Sequence, residues 1–361
     1  MDRAIPDGPP SPEDDPRRHH LVVRRGAVDR IDVLSANHRR IGLDGLLAGA
    51  AGRGSAARRT RVPAAAAVEG FRWNRRDDRD ADWWPQGIDV RVLPGGARLL
   101  AVSWYARPRP GGPRGARVSF VHLRPGRRPR YRHVLLVEAR PDAEGDVPGF
   151  RPVETHAGGL AWHGDRLWAA STFDGVRVFD VRDILDASRP GFLGFGRRSA
   201  APGSAAAMAG AVAILPQAEH WAPPEGAERM RYSFLSVDRR ADAEAFVAGE
   251  YSRDDPTGRL VELSREAEGA RTRHGEALVP GLTRMQGATP VDHRWFVTAS
   301  AGSANGDLWV GAPGAMTRHA GVLPPGPEDL ALEPGSRILW SLSEHPRRRW
   351  VFSIDADAWP G

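Results

Sequence analysis

Gln86, His156, Gln286 and the adjacent Glu328 and Asp329 each stand at the head of a short apolar run, and Tyr232 or Ser233 heads another. Together they offer two amides, an imidazole, a hydroxyl and two carboxyls. An imidazole that titrates near neutrality serves as general base or acid. Glu328 and Asp329, with Gln carbonyls beside them, suit a hard divalent cation such as calcium. Such an ion would polarise a carbonyl or activate water. The same set could instead tether the chain around a water-filled channel. Burying an unpaired carboxylate is costly, so Glu328 and Asp329 need partners in either case, with Arg284 or the amides as candidates. Trp83 and Trp84, just before Gln86, could stack on a sugar ring or another planar ligand, or pack inside the fold. Asp78, Asp80 and Asp82 alternate like the opening of a calcium loop, but Trp83 stands where an EF-hand requires Gly.

These residues converge only if the elements bearing them repeat, and they do. The stretch from Arg284 to Pro313 reads strand, turn, strand, turn, strand, with breaks at Asp292-His293-Arg294 and Gly302 to Gly306. The same order returns from Trp84, from His156, from Tyr232 and from Glu328, and a fourth apolar run follows most copies. A four-stranded sheet cannot bury both faces alone, so the copies are expected to stack radially. The fold class expected is all-β: a five-bladed β-propeller, six-bladed if the stretch from about Leu185 to Pro216 hides another sheet. The last copy lacks its fourth strand, and Val62 to Phe71 is the expected substitute, closing the ring with N-terminal chain. A β-sandwich is the weaker alternative, having no reason to repeat one grammar. Gly87, Gly158 and Gly287 follow three of the polar heads and suit close backbone approach around a narrow axis.

Residues 1–16, rich in Pro, Asp and Gly, are expected to be disordered, and 17–61 to form a short helical cap and linker before a propeller over 62–361. The cap expectation rests on Val28, Ile31, Leu34, Ile41, Leu46 and Leu47 at helical spacing. The net charge is +6, but every basic side chain apart from His is Arg, and the 51 are dispersed among 45 acidic residues, which argues against a nucleic-acid partner. With no Cys there is no disulfide framework, thiolate metal site or Cys nucleophile. The N-terminal stretch shows only Leu21-Val22-Val23 as an apolar core, so a cytoplasmic location is expected, with secretion as the alternative, no membrane span and a monomer. GxSxG, HExxH, the P-loop and the Rossmann fingerprint are all absent.

Trp84 to Ile88 (WPQGI), His156 to Trp162 (HAGGxxW), Gly175 to Asp180 (GxRVFD), Met285 to Gly287 (MQG) and Gly326 to Leu330 (GPEDL) resemble motifs of a family of actinobacterial proteins, many of them exported. That resemblance spans about Trp73 to the C-terminus and implies a fold but no activity. The architecture is similar, more distantly, to gluconolactonase-like and strictosidine-synthase-like propellers, and fold alone does not imply function. The expected function is binding of a small polar ligand at the channel mouth, with hydrolysis, lactone opening or elimination there. In that reading His156 moves the proton, Gln86 and Gln286 orient the ligand, and Glu328 with Asp329 hold a cation or act as acid and base. The alternative is a non-catalytic propeller that binds carbohydrate or protein.

Overall fold

The computed structural model describes residues 19–24, 31, 34, 38–49, 55–56, 58–59, 62–108, 110, 115–140, 149–187, 211–241, 244–265 and 272–360. The expected disorder at 1–16 and most of the expected linker lie outside these residues, as does most of the stretch where a sixth sheet was considered. Among the described residues no helix is long and apolar enough to cross a membrane.

The strands that build the ring are β1 (Ala67–Arg72), β2 (Trp83–Val92), β3 (Arg98–Ala106), β4 (Ala116–Leu123), β5 (Arg130–Arg140), β6 (Leu160–His163), β7 (Arg166–Ser171), β8 (Gly175–Asp180), β9 (Ala211–Ala222), β10 (Phe234–Val237), β11 (Ala245–Gly249), β12 (Leu260–Arg265), β13 (Thr272–His274), β14 (Met285–Val291), β15 (Arg294–Ala299), β16 (Asn305–Ala312), β17 (Ala315–Pro325), β18 (Pro327–Leu332), β19 (Ile338–Ser343) and β20 (Trp350–Asp355). They pair antiparallel in chain order within β2 to β5, β6 to β9, β10 to β13 and β14 to β17. The remaining set is β18, β19, β20 and then β1, so N-terminal chain supplies the outer strand of the C-terminal sheet. The first half of β9 pairs parallel with β5, from Ala211 opposite His133 to Pro216 opposite Val137, and so joins two sheets edge to edge.

Alternation along the strands explains why the sheets stack. Val90, Val102 and Trp104 pack towards Trp340 and Val351 on one side, while Leu99, Ala101 and Phe120 from the opposite face pack against Leu160, Trp162 and Leu167. The same two-sided use repeats around the molecule: β6 to β9 against β10 to β12 through Trp168 and Phe246, β10 to β12 against β14 and β15 through Val247 and Val297, and β14 to β16 against β18 to β20 through Phe296 and Phe352. The first strands touch in a closed cycle, β2 to β6 to β10 to β14 to β18 and back to β2. This is a propeller arrangement, each set packing on its neighbours around the ring.

Among the described residues, the two short helices α1 (Gly42–Ala48) and α2 (Arg75–Arg79) lie outside the ring. Helix α1 buries Leu46 beside Leu99 and Phe120, and the backbone N–H groups of Ile41 and Gly42 both donate to the Ile184 carbonyl. Helix α2 is N-capped by Asn74, whose side chain accepts from the Asp77 N–H. It fixes Asp77 and Asp78 in buried networks: Asp77 meets Tyr131, His133 and Arg117, and Asp78 meets Arg72 at 2.6 Å. Asp80 accepts from the N–H groups of Asp82 and Trp83. Asp78, Asp80 and Asp82 are therefore not a calcium loop, because Asp78 and Asp80 are committed to folding the chain onto β2.

Candidate functional site

Where the inner strands begin, three Gly residues let neighbouring backbones meet. A Cβ on Gly87 would lie 2.7 Å from Gly159 C, one on Gly159 would lie 1.9 Å from Leu235 N, and one on Gly287 would lie 2.5 Å from Leu330 N. Gly158 is equally crowded, facing the Ser233 carbonyl. Only a residue without a Cβ permits that approach, so the axis is narrow and the heads of the strands share one rim.

Asp329 lies on the axis itself. Its Oδ2 accepts from the N–H of Ile88 on β2 at 3.0 Å and of Leu160 on β6 at 3.1 Å, which ties three sheets together. Its Oδ1 has no hydrogen-bond partner among the described residues. Burial raises its pKa well above the ordinary carboxyl range, although the donated N–H groups work the other way. Further along, Arg239 closes the opposite end by bonding Asp89 at 2.9 Å and the Leu332 carbonyl at 2.6 Å. Asp89 also accepts from the backbone N–H of Trp162 and Val90. The channel thus has one plugged end and one open end.

The open end gathers several polar groups. Glu328 is only 3 % exposed, and its carboxyl has no hydrogen bond among the described residues. Burial raises its pKa well above 4.5, and the nearby Glu344 and Asp329 charges add to that, so its surroundings favour the protonated form. Glu344 is raised as well, mainly by burial, and accepts from Gln86 Nε2 at 3.1 Å. Tyr105 faces the same carboxyls: burial, then Glu344 and Glu328, push its phenol up to about 12. Its ring lies 4.1 Å from that of His156. His156 stays in contact with water yet is crowded by protein, as a rim residue would be, and that crowding lowers its pKa and leaves the ring neutral at pH 7. Ala157, directly after it, has a φ of 49°, a left-handed conformation that costs a non-glycine residue roughly 1–2 kcal/mol and here sets the direction of the His156 backbone.

The remaining expected site residues divide. Ser233 stands just before β10, where its Oγ accepts from the Tyr251 N–H, while Gln286 is the second residue of β14 and half-buried. Tyr232 is not at the rim: it is 1 % exposed in the apolar layer with Trp168 and Phe246. Trp83 is likewise no platform, being 2 % exposed beneath the buried Arg117 guanidinium at 4.5 Å. Trp84, one residue on and therefore on the other face of β2, is partly open, with Arg107 at 5.0 Å and Arg349 at 5.8 Å from its ring and His345 at 6.0 Å. Among the described residues no group of three or more His, Asp or Glu side chains could hold a metal ion. Calcium takes six to eight oxygens, and Asp329 spends Oδ2 on two backbone N–H groups. The geometry therefore does not support Glu328 and Asp329 as a cation site.

Two rim residues escaped sequence reasoning, Tyr105 and Glu344. Tyr105 is the penultimate residue of β3, and Glu344 directly follows β19. An antiparallel partner ends where the inner strand begins, and the registers Trp84 opposite Tyr105 and Pro327 opposite Ser343 place them at the mouth.

No protein-family model matches the chain, and no curated protein matches it. Among solved structures the chain is similar to a gluconolactonase from Xanthomonas campestris, with 12% identity over 84% of this chain and 86% of that one and a TM-score of 0.38. It is similar to a glycoside hydrolase with 9% identity, 93% and 97% coverage and a TM-score of 0.40. It is also similar to the β-propeller domain of Cps50 (Swd1) from Myceliophteria thermophila, with 10% identity, 83% and 99% coverage and a TM-score of 0.33. Strand pairing and the cyclic contacts, not these faint likenesses, carry the propeller assignment.

Proposed function

We propose that residues 62–361 form a five-bladed propeller, that α1 caps the junction of its first two blades, and that the open mouth binds a small, hydroxyl-bearing polar molecule and hydrolyses it. The observation that carries the reading is Glu328, a buried carboxyl with no partner among the described residues beside a second carboxyl and a phenol. A protonated acid without an internal acceptor is available to donate to a ligand, and a neutral imidazole is available to accept. In lactone opening, His156 takes a proton from water as the water oxygen bonds to the carbonyl carbon. The ring C–O bond then breaks, and the leaving oxygen takes the Glu328 proton. Return of the proton from His156 to Glu328 resets the site. Gln86, oriented by Glu344, and Gln286 would hold the ligand oxygens, with Ser233 on the opposite side of the rim. Asp329 is removed from direct chemistry in this reading and serves as the tether of the axis.

The test is hydrolysis of a panel of sugar lactones and glycosides by the wild type, Glu328→Gln and His156→Asn. The reading requires turnover of at least one class and its loss in both folded variants; undiminished turnover in either removes that residue's role. The second reading, a non-catalytic binder of carbohydrate, draws on the half-open Trp84 and its flanking Arg107. It predicts no turnover, with binding lost in Trp84→Ala and kept in Glu328→Gln.

A further inference from the structure

A cavity of about 370 Å³ lies away from the mouth, on the outer half of the sheet formed by β2 to β5. Phe120 and Leu47 give it an apolar wall, and His122, Arg124, Arg130 and Arg132 surround the rest. Strand register explains the convergence. Phe120 lies opposite Arg132 and His122 opposite Arg130, and alternate residues along each strand share a face, so these four side chains belong to one side of the β4 and β5 pair. Basic groups opposed across a ladder repel, and no carboxylate is among the described lining residues. Arg132 shows the consequence at one atom: its Nη1 is buried without a hydrogen-bond partner among the described residues. A buried guanidinium N–H left unpaired is costly, and an anion would relieve it. The neighbouring charges act in the same direction, since burial and Arg124 lower the pKa of His122, and burial and Arg130 lower that of Arg132.

We infer that this cavity is a binding site for a small organic phosphate or sulfate, the anionic group taken by Arg132 and His122 and the organic part by Phe120 and Leu47. Guanidinium groups bind phosphate through paired N–H donors, and the apolar wall favours an ester over the bare ion. The site does not depend on the chemistry of the mouth.

Isothermal titration of the full chain with phenyl phosphate at low salt tests it. One saturable site is expected, weakened at least about tenfold by Arg132→Gln, the size expected for losing one charge-assisted contact. Inorganic phosphate should bind more weakly than phenyl phosphate, and Arg348→Gln, an exposed arginine in the turn before β20, should change nothing. If Arg132→Gln fails to fold by circular dichroism, His122→Gln carries the same expectation from a half-buried position. No saturable binding by the wild type, or equal affinity in the folded Arg132 or His122 variant, overturns the proposal. Equal affinity for inorganic phosphate overturns the role of the apolar wall. Glu328→Gln should leave the titration unchanged, which separates this site from the mouth.

Discussion

At Glu328 a carboxyl with no donor among the described residues faces a second carboxyl, Glu344, while Asp329, the next residue, accepts two backbone N–H groups across the axis. Neighbours in sequence point to opposite sides of a strand, which is how one becomes a free acid and the other a tether. The sign of the pH dependence follows. The folded pKa of Glu328 is raised above its unfolded value, so the folded state binds the extra proton, and stability is lost as pH rises from the ordinary carboxyl range through the raised value. Glu328→Gln should therefore flatten the alkaline side of a chemical-denaturation profile while lowering turnover about a hundredfold or more. A steeper profile in the variant would contradict this. Asp329→Ala should cost about 2–4 kcal/mol by leaving two buried N–H groups unpaired, whereas Asp329→Asn, which keeps an acceptor, should cost less. Urea unfolding of both variants checks the order.

At the scale of elements, the inner strands can lie side by side only because Gly occupies the crossing points. A Cβ at Gly159 would meet the backbone of Leu235, not a yielding side chain, so Gly159→Ala should destabilise by more than about 3 kcal/mol. Thermal unfolding of the variant reads this directly, and a shift of only a degree or two would show that the crossing is looser than described. Elements were also where the sequence was most readable. Short apolar runs between Gly, Asn or Asp turns mark β14 and β15 to within one residue at each end and β16 to within two, since local chemistry decides hairpins. The site was readable only in part. Gln86, His156 and Glu328 head repeated strands and could be aligned by eye, but Tyr105 and Glu344 lie by the ends of partner strands, and their presence at the mouth depends on register. Trp83 and Tyr232 misled because a polar-tipped aromatic at a strand head looks the same whether its strand turns it to the rim or to the core. After β8 the chain makes a single 3-10 turn at Val181–Asp183 and then a two-residue strand at Leu185–Asp186 against β9.

For the whole molecule, closure depends on β1. It pairs along β20 from Trp350 opposite Arg72 to Ile354 opposite Ala67, and it buries Phe71 against Trp73. A ring closed this way joins both ends of the chain in one sheet, so unfolding should be cooperative across it. Removing residues 1–72 bares the edge of β20 and empties the space filled by Phe71, and the product is expected to aggregate on size-exclusion chromatography. A soluble monomer with the wild-type unfolding midpoint would show that closure contributes little. The mouth residues come from sets of strands spread along the whole chain, so whatever opens the ring should also disperse the site.

Infrared difference spectroscopy of the carboxyl C=O stretch at neutral pH, wild type against Glu328→Gln, tests the central claim most directly. The account predicts a protonated-carboxyl band in the wild type that loses intensity in the variant and shifts when a hydroxyl-bearing ligand occupies the mouth. Identical bands in the two proteins would contradict it, because Glu328 would then be ionised and paired.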